Sequence, residues 1–238
     1  MTLTILGCDG SWPGPGGAGS GYLIECAGTR LLVDAGPGTF ANLQRWFDPA
    51  TVDGVVLSHR HTDHWTDLHA LATHARFALG RKGIPTFAPE GLSEQSGLSG
   101  SEAIAWHRVA GGTSIEIGSL TCSFHRTDHG VETLAMRIDG GGRALGYSAD
   151  TGAGWSLSEL GNGLDLVLSE ATYTIEHEGT AGHMSGHQAG EQAKRAGARR
   201  LAITHRWPTI EATAVAKEAE AVFSASVEQA VIGKEFVL

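Results

Sequence analysis

One seven-residue stretch, Ser58-His59-Arg60-His61-Thr62-Asp63-His64, most constrains what this chain can fold into. It places three imidazoles and a carboxylate within six residues, directly after the apolar run Val55-Val56-Leu57. That run predicts a short buried strand, so the polar residues are expected on a loop at its end, where all four side chains can face one point. Neutral imidazole and carboxylate suit Zn²⁺ and related metals. The stretch therefore predicts a site for as many as two ions rather than a solvated histidine-rich loop.

Composition predicts a soluble globular protein, because 41% of the residues are hydrophobic and 18% are charged. The length of 238 residues allows one domain or two small ones, and we expect one, residues 1–238. No apolar run approaches the roughly 20 residues that span a bilayer. The first residues lack the basic and apolar segments of a secretory signal. Cys8, Cys26 and Cys122 are odd in number and far apart, which is typical of reduced thiols and predicts a cytoplasmic protein.

The formal net charge of −9 argues against a nucleic-acid partner. Proteins that hold a long phosphate backbone normally carry a basic face. Small anionic substrates stay open, because bound metal ions would supply local positive potential.

Segments with strand or helix periodicity occur in both halves of the chain. Strands are predicted at residues 2–6, 21–26, 30–34, 53–58, 120–126, 133–138, 143–147, 164–168, 200–204 and within 227–238. Helices are predicted at residues 39–47, 66–79, 186–196 and 210–223, with at most a short helix in 91–101. Two runs of strands flanked by helices predict an α/β (α+β) fold, a four-layer αββα sandwich.

Residues 7–20 contain six glycines and two prolines and are expected to form a loop. A phosphate cradle of the G-x-G-x-x-G type is the alternative interpretation. It is disfavoured because no helix pattern follows the glycines, and such a cradle needs a helix N-terminus.

The pattern H-x-H-x-D-H in the opening stretch resembles the signature of the metallo-β-lactamase superfamily. Three later strand ends match motifs of that superfamily in the same order: D-H at His129, S-x-D-T-G at Asp150 and T-H at His205. The resemblance implies two divalent metal ions, with zinc expected first and manganese or iron as alternatives.

The same resemblance implies a division of the ligands. One ion would be held by His59, His61 and His129, and the other by Asp63, His64 and His205, with Asp150 bridging. It also implies that Asp34 supports the ligand loop from below, the alternative being an ordinary turn-forming aspartate before Gly36.

Two further segments resemble the tRNase Z-like branch of the superfamily. Ser169-Glu170-Ala171-Thr172 is similar to its H-E-A-T motif, and His183-Met184-Ser185 to its H-S-T motif, 22 positions before His205. In that branch the histidine donates a proton to the leaving group and the glutamate orients it. The resemblance thus implies catalytic roles for His183 and Glu170, beside Asp63. Ser169 replaces the first histidine of the motif, which leaves the relay open, and His187 is the rival proton donor.

These residues predict a dinuclear metal-dependent hydrolase, above all a phosphodiesterase for small phosphodiesters. The chain is most similar to actinobacterial-type members that resemble cyclic-nucleotide phosphodiesterases. Two cations roughly 3.5–4 Å apart lower the pKa of a shared water, so that it attacks as hydroxide. A histidine opposite can protonate a poor alkoxide leaving group. The remaining histidines are expected to be structural or solvated: His69, His74, His107, His125 and His177.

Several alternatives stay open. A tRNA 3′-processing endonuclease shares the motifs, but that family inserts a long arm between the positions of His129 and Asp150, which here are only 21 positions apart. A lactonase, thioesterase or β-lactamase-like hydrolase would use the same metals with less need of His183. A non-enzymatic metal-binding regulator is the alternative from another class. The chain could act alone or as a homodimer.

Overall fold

The computed structural model describes all 238 residues, which form fourteen strands and five α-helices. The strands are β1 (Thr2–Gly7), β2 (Gly21–Cys26), β3 (Thr29–Ala35), β4 (Gly54–Val56), β5 (Ile84–Ala88), β6 (Ile104–Arg108), β7 (Ser114–Ile117), β8 (Leu120–Arg126), β9 (Leu134–Gly140), β10 (Arg143–Tyr147), β11 (Leu166–Glu170), β12 (Leu201–Thr204), β13 (Val227–Gln229) and β14 (Glu235–Val237). The helices are α1 (Thr39–Trp46), α2 (Leu68–His74), α3 (Leu92–Gln95), α4 (Gly186–Arg195) and α5 (Ala212–Phe223).

The strands form two seven-stranded sheets with the same plan. The first has the order β14-β1-β2-β3-β4-β5-β6, and the second β13-β12-β11-β10-β9-β8-β7. In the first sheet β1 to β3 pair antiparallel and β3 to β6 parallel. In the second, β7 to β10 pair antiparallel and β10 to β13 parallel. The parallel strands of each sheet end at one edge, and ligand-bearing loops of such sheets lie at that edge.

Apolar side chains fill three spaces between four layers. Along β11, Leu166 and Leu168 join the core between the sheets, while Val167 faces α4 and α5, because successive side chains of a strand point to opposite faces. The outer face of the first sheet packs against helices through residues such as Leu43 of α1 and Leu71 of α2. Helices therefore cover the outer face of each sheet, and the predicted αββα sandwich is confirmed.

The four predicted helices form close to their expected bounds. Helix α2 begins at Leu68, and a π-helical turn, Ala75–Leu79, continues it after His74. Ser185 caps α4 by accepting a hydrogen bond from the Gln188 backbone N–H at 3.1 Å, while the Gln188 side chain binds back to the cap. None of the helices combines the length and apolarity needed to cross a bilayer.

Three strands were not predicted, for physical reasons visible in their residues. Strand β5 is interior but contains Pro85, which cannot donate a ladder hydrogen bond and argues against a central strand. Strands β6 and β7 are short sheet edges with exposed residues, so they lack a full apolar pattern. The β-rich C-terminus divides: β13 joins the second sheet, whereas β14 crosses back to pair with β1.

Candidate metal centre and proton donor

The loop after β4 brings together the four polar residues of the opening stretch. Buried Leu57 and Ser58 end the strand segment, and a 3₁₀ turn follows at Thr62–His64, where the His64 N–H donates to the His61 carbonyl at 3.1 Å. This turn buries the Asp63 and His64 side chains, while His61 stays exposed at the rim. A local backbone turn thus directs the donors inward.

Asp34 lies buried at the end of β3, beneath this loop. Its carboxylate accepts hydrogen bonds from the Ser58 backbone N–H at 2.7 Å and the Ser58 hydroxyl at 2.8 Å. It also accepts from Tyr147 of the second sheet at 2.8 Å and lies 2.8 Å from Nδ1 of His64. Burial and the Asp34 carboxylate raise the pKa of Tyr147 well above its usual range, so the phenol keeps its proton and donates. These contacts fix the loop and turn Nε2 of His64 toward the other donors.

The first donor group contains His59, His61, His129 and Asp150, whose ligand atoms all lie within 4.8 Å of one another. Nδ1 of His61 lies 3.1 Å from Nε2 of His59 and 3.2 Å from Nε2 of His129. An Asp150 oxygen lies 3.4 Å from Nε2 of His59. The opposite nitrogen of His129, Nδ1, is 3.0 Å from the Gly182 carbonyl, which fixes the ring.

The second group contains Asp63, His64 and His205. Oδ2 of Asp63 lies 3.3 Å from Nε2 of His205 and 3.5 Å from Nε2 of His64. The same oxygen accepts the Ser11 backbone N–H at 2.9 Å. Nδ1 of His205 lies 3.1 Å from the Thr172 hydroxyl, which leaves Nε2 toward the group.

Asp150 lies between the two groups. Its Oδ1 is 3.3 Å from Nε2 of His64, and its Oδ2 is 3.4 Å from Nε2 of both His59 and His205. One carboxylate therefore faces donors of each group, as a bridging ligand would.

Three strand ends at the site adopt a left-handed backbone that non-glycine residues seldom use. The φ angles are 55° at Asp34, 49° at Ala149 and 54° at His205. Each turn redirects the chain where a strand reaches the site, so that Asp34, Asp150 and His205 point inward. Such strain persists at functional sites because the surrounding contacts hold it.

The donor set fits two divalent cations. Nε2 of His64 and Oδ1 of Asp150 are buried, 3.3 Å apart and without a hydrogen-bond partner, a costly state that a cation beside them explains. Burial lowers the pKa of His59 to about 4, so its ring is neutral, whereas burial of His64 is outweighed by Asp150, Asp34 and Asp63, which raise the pKa of that ring. Burial disfavours the carboxylate forms of Asp63 and Asp150, but neighbouring histidines still hold the pKa of each below its usual range. All the donors are nitrogen or oxygen.

His183 lies beside the donor groups on the loop that precedes α4. Its ring stacks on that of His205, with centroids 5.1 Å apart and planes inclined at 27°. Its Nδ1 lies 2.9 Å from Oε1 of Glu170. Burial disfavours the charged ring, but the Glu170 carboxylate outweighs it and raises the pKa of His183 to about 9. A ligand atom of His183 also lies within 4.8 Å of Asp150 and His205, so a ligand role is the rival to proton donation.

Glu170 is buried at the end of β11, and its carboxylate binds the segments that carry Thr151, Thr172 and His183. One carboxylate oxygen accepts the Thr151 backbone N–H at 2.7 Å, next to Asp150, and binds His183. The other accepts the Thr172 hydroxyl at 2.7 Å and the Met184 backbone N–H at 3.2 Å. The carboxylate therefore positions the loop of Asp150 and the loop of His183 together.

A family model described as a β-lactamase superfamily domain matches residues 29–206, three quarters of the chain. The chain belongs to this superfamily.

Similar proteins cover nearly the whole chain. An uncharacterized protein of Mycobacterium tuberculosis, Rv1339, is 34% identical over 99% of this chain and 92% of its own length. A probable metallo-hydrolase of Bacillus subtilis, YhfI, is 32% identical over 98% of each chain. The crystal structure of YhfI matches with a TM-score of 0.92 at 31% identity, covering 99% of each chain. A ribonuclease Z of Methanopyrus kandleri is 33% identical over 141 residues, which are 58% of this chain and 50% of that protein.

Ser169, which stands where the tRNase Z-like motif has a histidine, lies outside the His183–Glu170 pair. Its hydroxyl donates to the Glu170 backbone carbonyl at 3.0 Å, and adjacent strand residues point to opposite faces. His187, the rival proton donor, lies in the first turn of α4, while the Glu170 carboxylate binds His183 instead. Neither donor group includes His69, His74, His107, His125 or His177, and none of these five histidines lies with His183 beside them.

Sequence reasoning missed three supporting residues of this β-lactamase superfamily site. Tyr147 reaches Asp34 from the other sheet, Thr172 joins His205 to Glu170, and Ser11 binds Asp63 from the glycine-rich loop. Only Thr172 carried a signal, since it follows Glu170 within a motif. The others depend on contacts between distant segments.

Proposed function

We propose that this protein is a metal-dependent phosphodiesterase that hydrolyses small phosphodiesters such as cyclic nucleotides, with His183 as general acid. The observation that carries the proposal is the His183–Glu170 pair, 2.9 Å apart, beside two groups of metal donors. The names of two relatives support hydrolysis: YhfI is called a probable metallo-hydrolase, and the Methanopyrus protein a ribonuclease.

Two cations fit the donor groups, and we propose zinc, with manganese or iron as alternatives. Bound there, they would lower the pKa of a shared water and neutralise phosphate charge. The residues proposed to hold them are His59, His61 and His129 for one ion, Asp63, His64 and His205 for the other, and Asp150 between them.

The chain's own residues supply the remaining chemistry. The Glu170 carboxylate accepts a hydrogen bond from Nδ1–H of His183, so the proton on Nε2 is the one available to a leaving oxygen. Departure of an alkoxide from phosphorus needs such a proton, because an alkoxide is a poor leaving group in water. Four hydrogen-bond contacts hold the Glu170 carboxylate, so it stays in place to stabilise the ring through the transfer.

A ribonuclease that cleaves precursor tRNA is the second candidate, because the Methanopyrus ribonuclease Z shares 33% identity over 141 residues. Two observations favour a small substrate. The stretch between His129 and Asp150 contains the hairpin β9–β10 with a short turn at residues 141–142, and no inserted arm. The net charge of −9 also disfavours a long phosphate backbone. Acyl substrates such as lactones, thioesters and β-lactams fit less well, since they have less need of His183.

The deciding experiment measures His183→Ala on two phosphodiesters with different leaving groups. We expect hydrolysis of 3′,5′-cyclic AMP, which releases an alkoxide, to slow by roughly 10²–10⁴-fold. The loss should be much smaller for thymidine 5′-p-nitrophenyl phosphate, whose leaving group hardly needs a proton. His187→Ala is the matched control and should leave both rates near wild type.

Elemental analysis of each variant completes the experiment. Equal losses on the two esters would assign His183 a positioning role, and loss of metal would make it a ligand; either result contradicts the general-acid assignment. A wild-type protein that cleaves a lactone, a cephalosporin or a precursor tRNA, and no small phosphodiester, would overturn the substrate class.

A further inference from the structure

Two tryptophans meet at the surface beside the metal donors. Trp12 lies on the glycine-rich loop of residues 7–20 with 44% of its surface exposed. Its ring centroid is 5.9 Å from that of Trp207, and the planes are inclined at 34°. Single exposed apolar residues are common on protein surfaces, but adjoining indole rings form a larger aromatic surface that calls for an explanation.

The pair is tied to the metal donors from both sides. Ser11, next to Trp12, donates its backbone N–H to Asp63 at 2.9 Å. Trp207 follows His205 by two residues and donates its indole N–H to the Ser11 hydroxyl at 3.1 Å. Gly10 lets the loop approach this closely, because a Cβ there would lie 2.4 Å from the His205 carbonyl oxygen. The tryptophans therefore stand at the rim of the site.

Contacts behind the pair hold Trp207 in place. The Arg206 guanidinium donates to the carbonyls of Trp207 and Ile210, and the Trp207 backbone N–H donates to the Thr172 carbonyl at 3.0 Å. Tyr173 packs edge-on against the Trp207 ring at 5.7 Å and donates its hydroxyl to the His183 carbonyl at 2.8 Å. The aromatic surface is thus continuous with the segment that carries the proton donor.

We propose that Trp12 and Trp207 form a stacking platform for a planar ring of the substrate, so that the preferred phosphodiester carries a nucleobase. The inference rests on the proposed function for the position of the phosphate. Stacking on an aromatic side chain is favourable for every nucleobase, because each base presents a π-face.

The test measures binding rather than turnover. Adenosine 5′-monophosphate and ribose 5-phosphate carry the same phosphate on the same sugar and differ only in the base. By calorimetry with the metal-loaded protein, we expect the nucleotide to bind roughly 5–100-fold more tightly than the sugar phosphate. Trp12→Ala should remove most of that ratio, and Trp12→Phe should keep much of it.

Trp46 offers a matched control, since it is 43% exposed on α1 and its ring packs against Arg45 and Gly233 rather than against a donor residue. Trp46→Ala should leave the ratio unchanged, and thermal melting should show that every variant is folded. A wild-type ratio near one, or an unchanged ratio in Trp12→Ala, would overturn the platform. A ratio that depends on Trp12 in a protein without phosphodiesterase activity would support the platform and refute the proposed function. Phosphodiesterase activity together with a nucleotide-to-sugar binding ratio near one would refute the platform and support the proposed function.

Discussion

The two sheets share one strand plan, yet they supply the site in different ways. The first places four donors on the single loop after β4 and supports them with Asp34 at the neighbouring strand end. The second distributes its residues over the ends of four different strands and the loops that follow them: His129, Asp150, Glu170, His183 and His205.

The difference shows two ways of fixing donor geometry. In the first sheet, a 3₁₀ turn and the contacts of Asp34 with Ser58 set the donors locally. In the second, the parallel register of β10, β11 and β12 brings distant loops together. A slip of one residue in such a register would turn every side chain to the other face. The second sheet therefore depends on the whole fold for its part of the site.

Asp150 is where the two contributions meet, and its removal should have the largest effect. Asp150→Ala should reduce bound metal from about two ions per chain to about zero, because one carboxylate faces both donor groups. His59→Ala in the first sheet and His129→Ala in the second should each cost about one ion. Elemental analysis of the purified variants measures this. Retention of both ions by Asp150→Ala would refute the bridge.

Asp34 supports the loop after β4, and its replacement should have an intermediate effect on metal binding. Asp34→Asn should weaken metal binding by roughly 10–100-fold, the usual cost of losing a partner that orients a ligand. Competition with a chelator measures the affinity. The control is Asp67→Asn, because the Asp67 carboxylate accepts the Phe40 backbone N–H at 2.8 Å and makes no hydrogen bond to a donor residue. Equal weakening in both variants would mean that Asp34 acts through general stability alone.

Replacement of Ser169 should have the smallest effect on activity. Ser169→Ala should leave kcat/KM unchanged on 3′,5′-cyclic AMP, since its hydroxyl binds only a backbone carbonyl. The expected cost is about 0.5–1.5 kcal/mol of stability, seen in urea unfolding. Glu170→Gln, one residue along the same strand, should instead slow the poor leaving group more than p-nitrophenyl esters. A large loss of activity in Ser169→Ala would place the serine in the relay after all.

The same difference between the two sheets decides which site residues could be predicted from the sequence. The four donors after β4 could be recognised because they are contiguous and follow an apolar strand. His129, Asp150 and His205 are weak signals singly and were identified only through their resemblance to family motifs. Tyr147 could not be found at all, because its contact with Asp34 joins residues 113 positions apart on different sheets. Strand β5 was hidden by Pro85, whose cost the surrounding sheet outweighs.

The Glu170 carboxylate couples the order of the segment that carries Asp150 to the order of the segment that carries His183. It orders both segments, so whatever immobilises one segment reduces the entropy lost in immobilising the other. Such coupling is reciprocal: if a bound cation steadies His183, a substrate held by His183 increases the affinity for the cation by the same factor. A protein that has lost its metal should then also hold His183 less firmly, and activity should return only when the metal and the position of His183 are both restored.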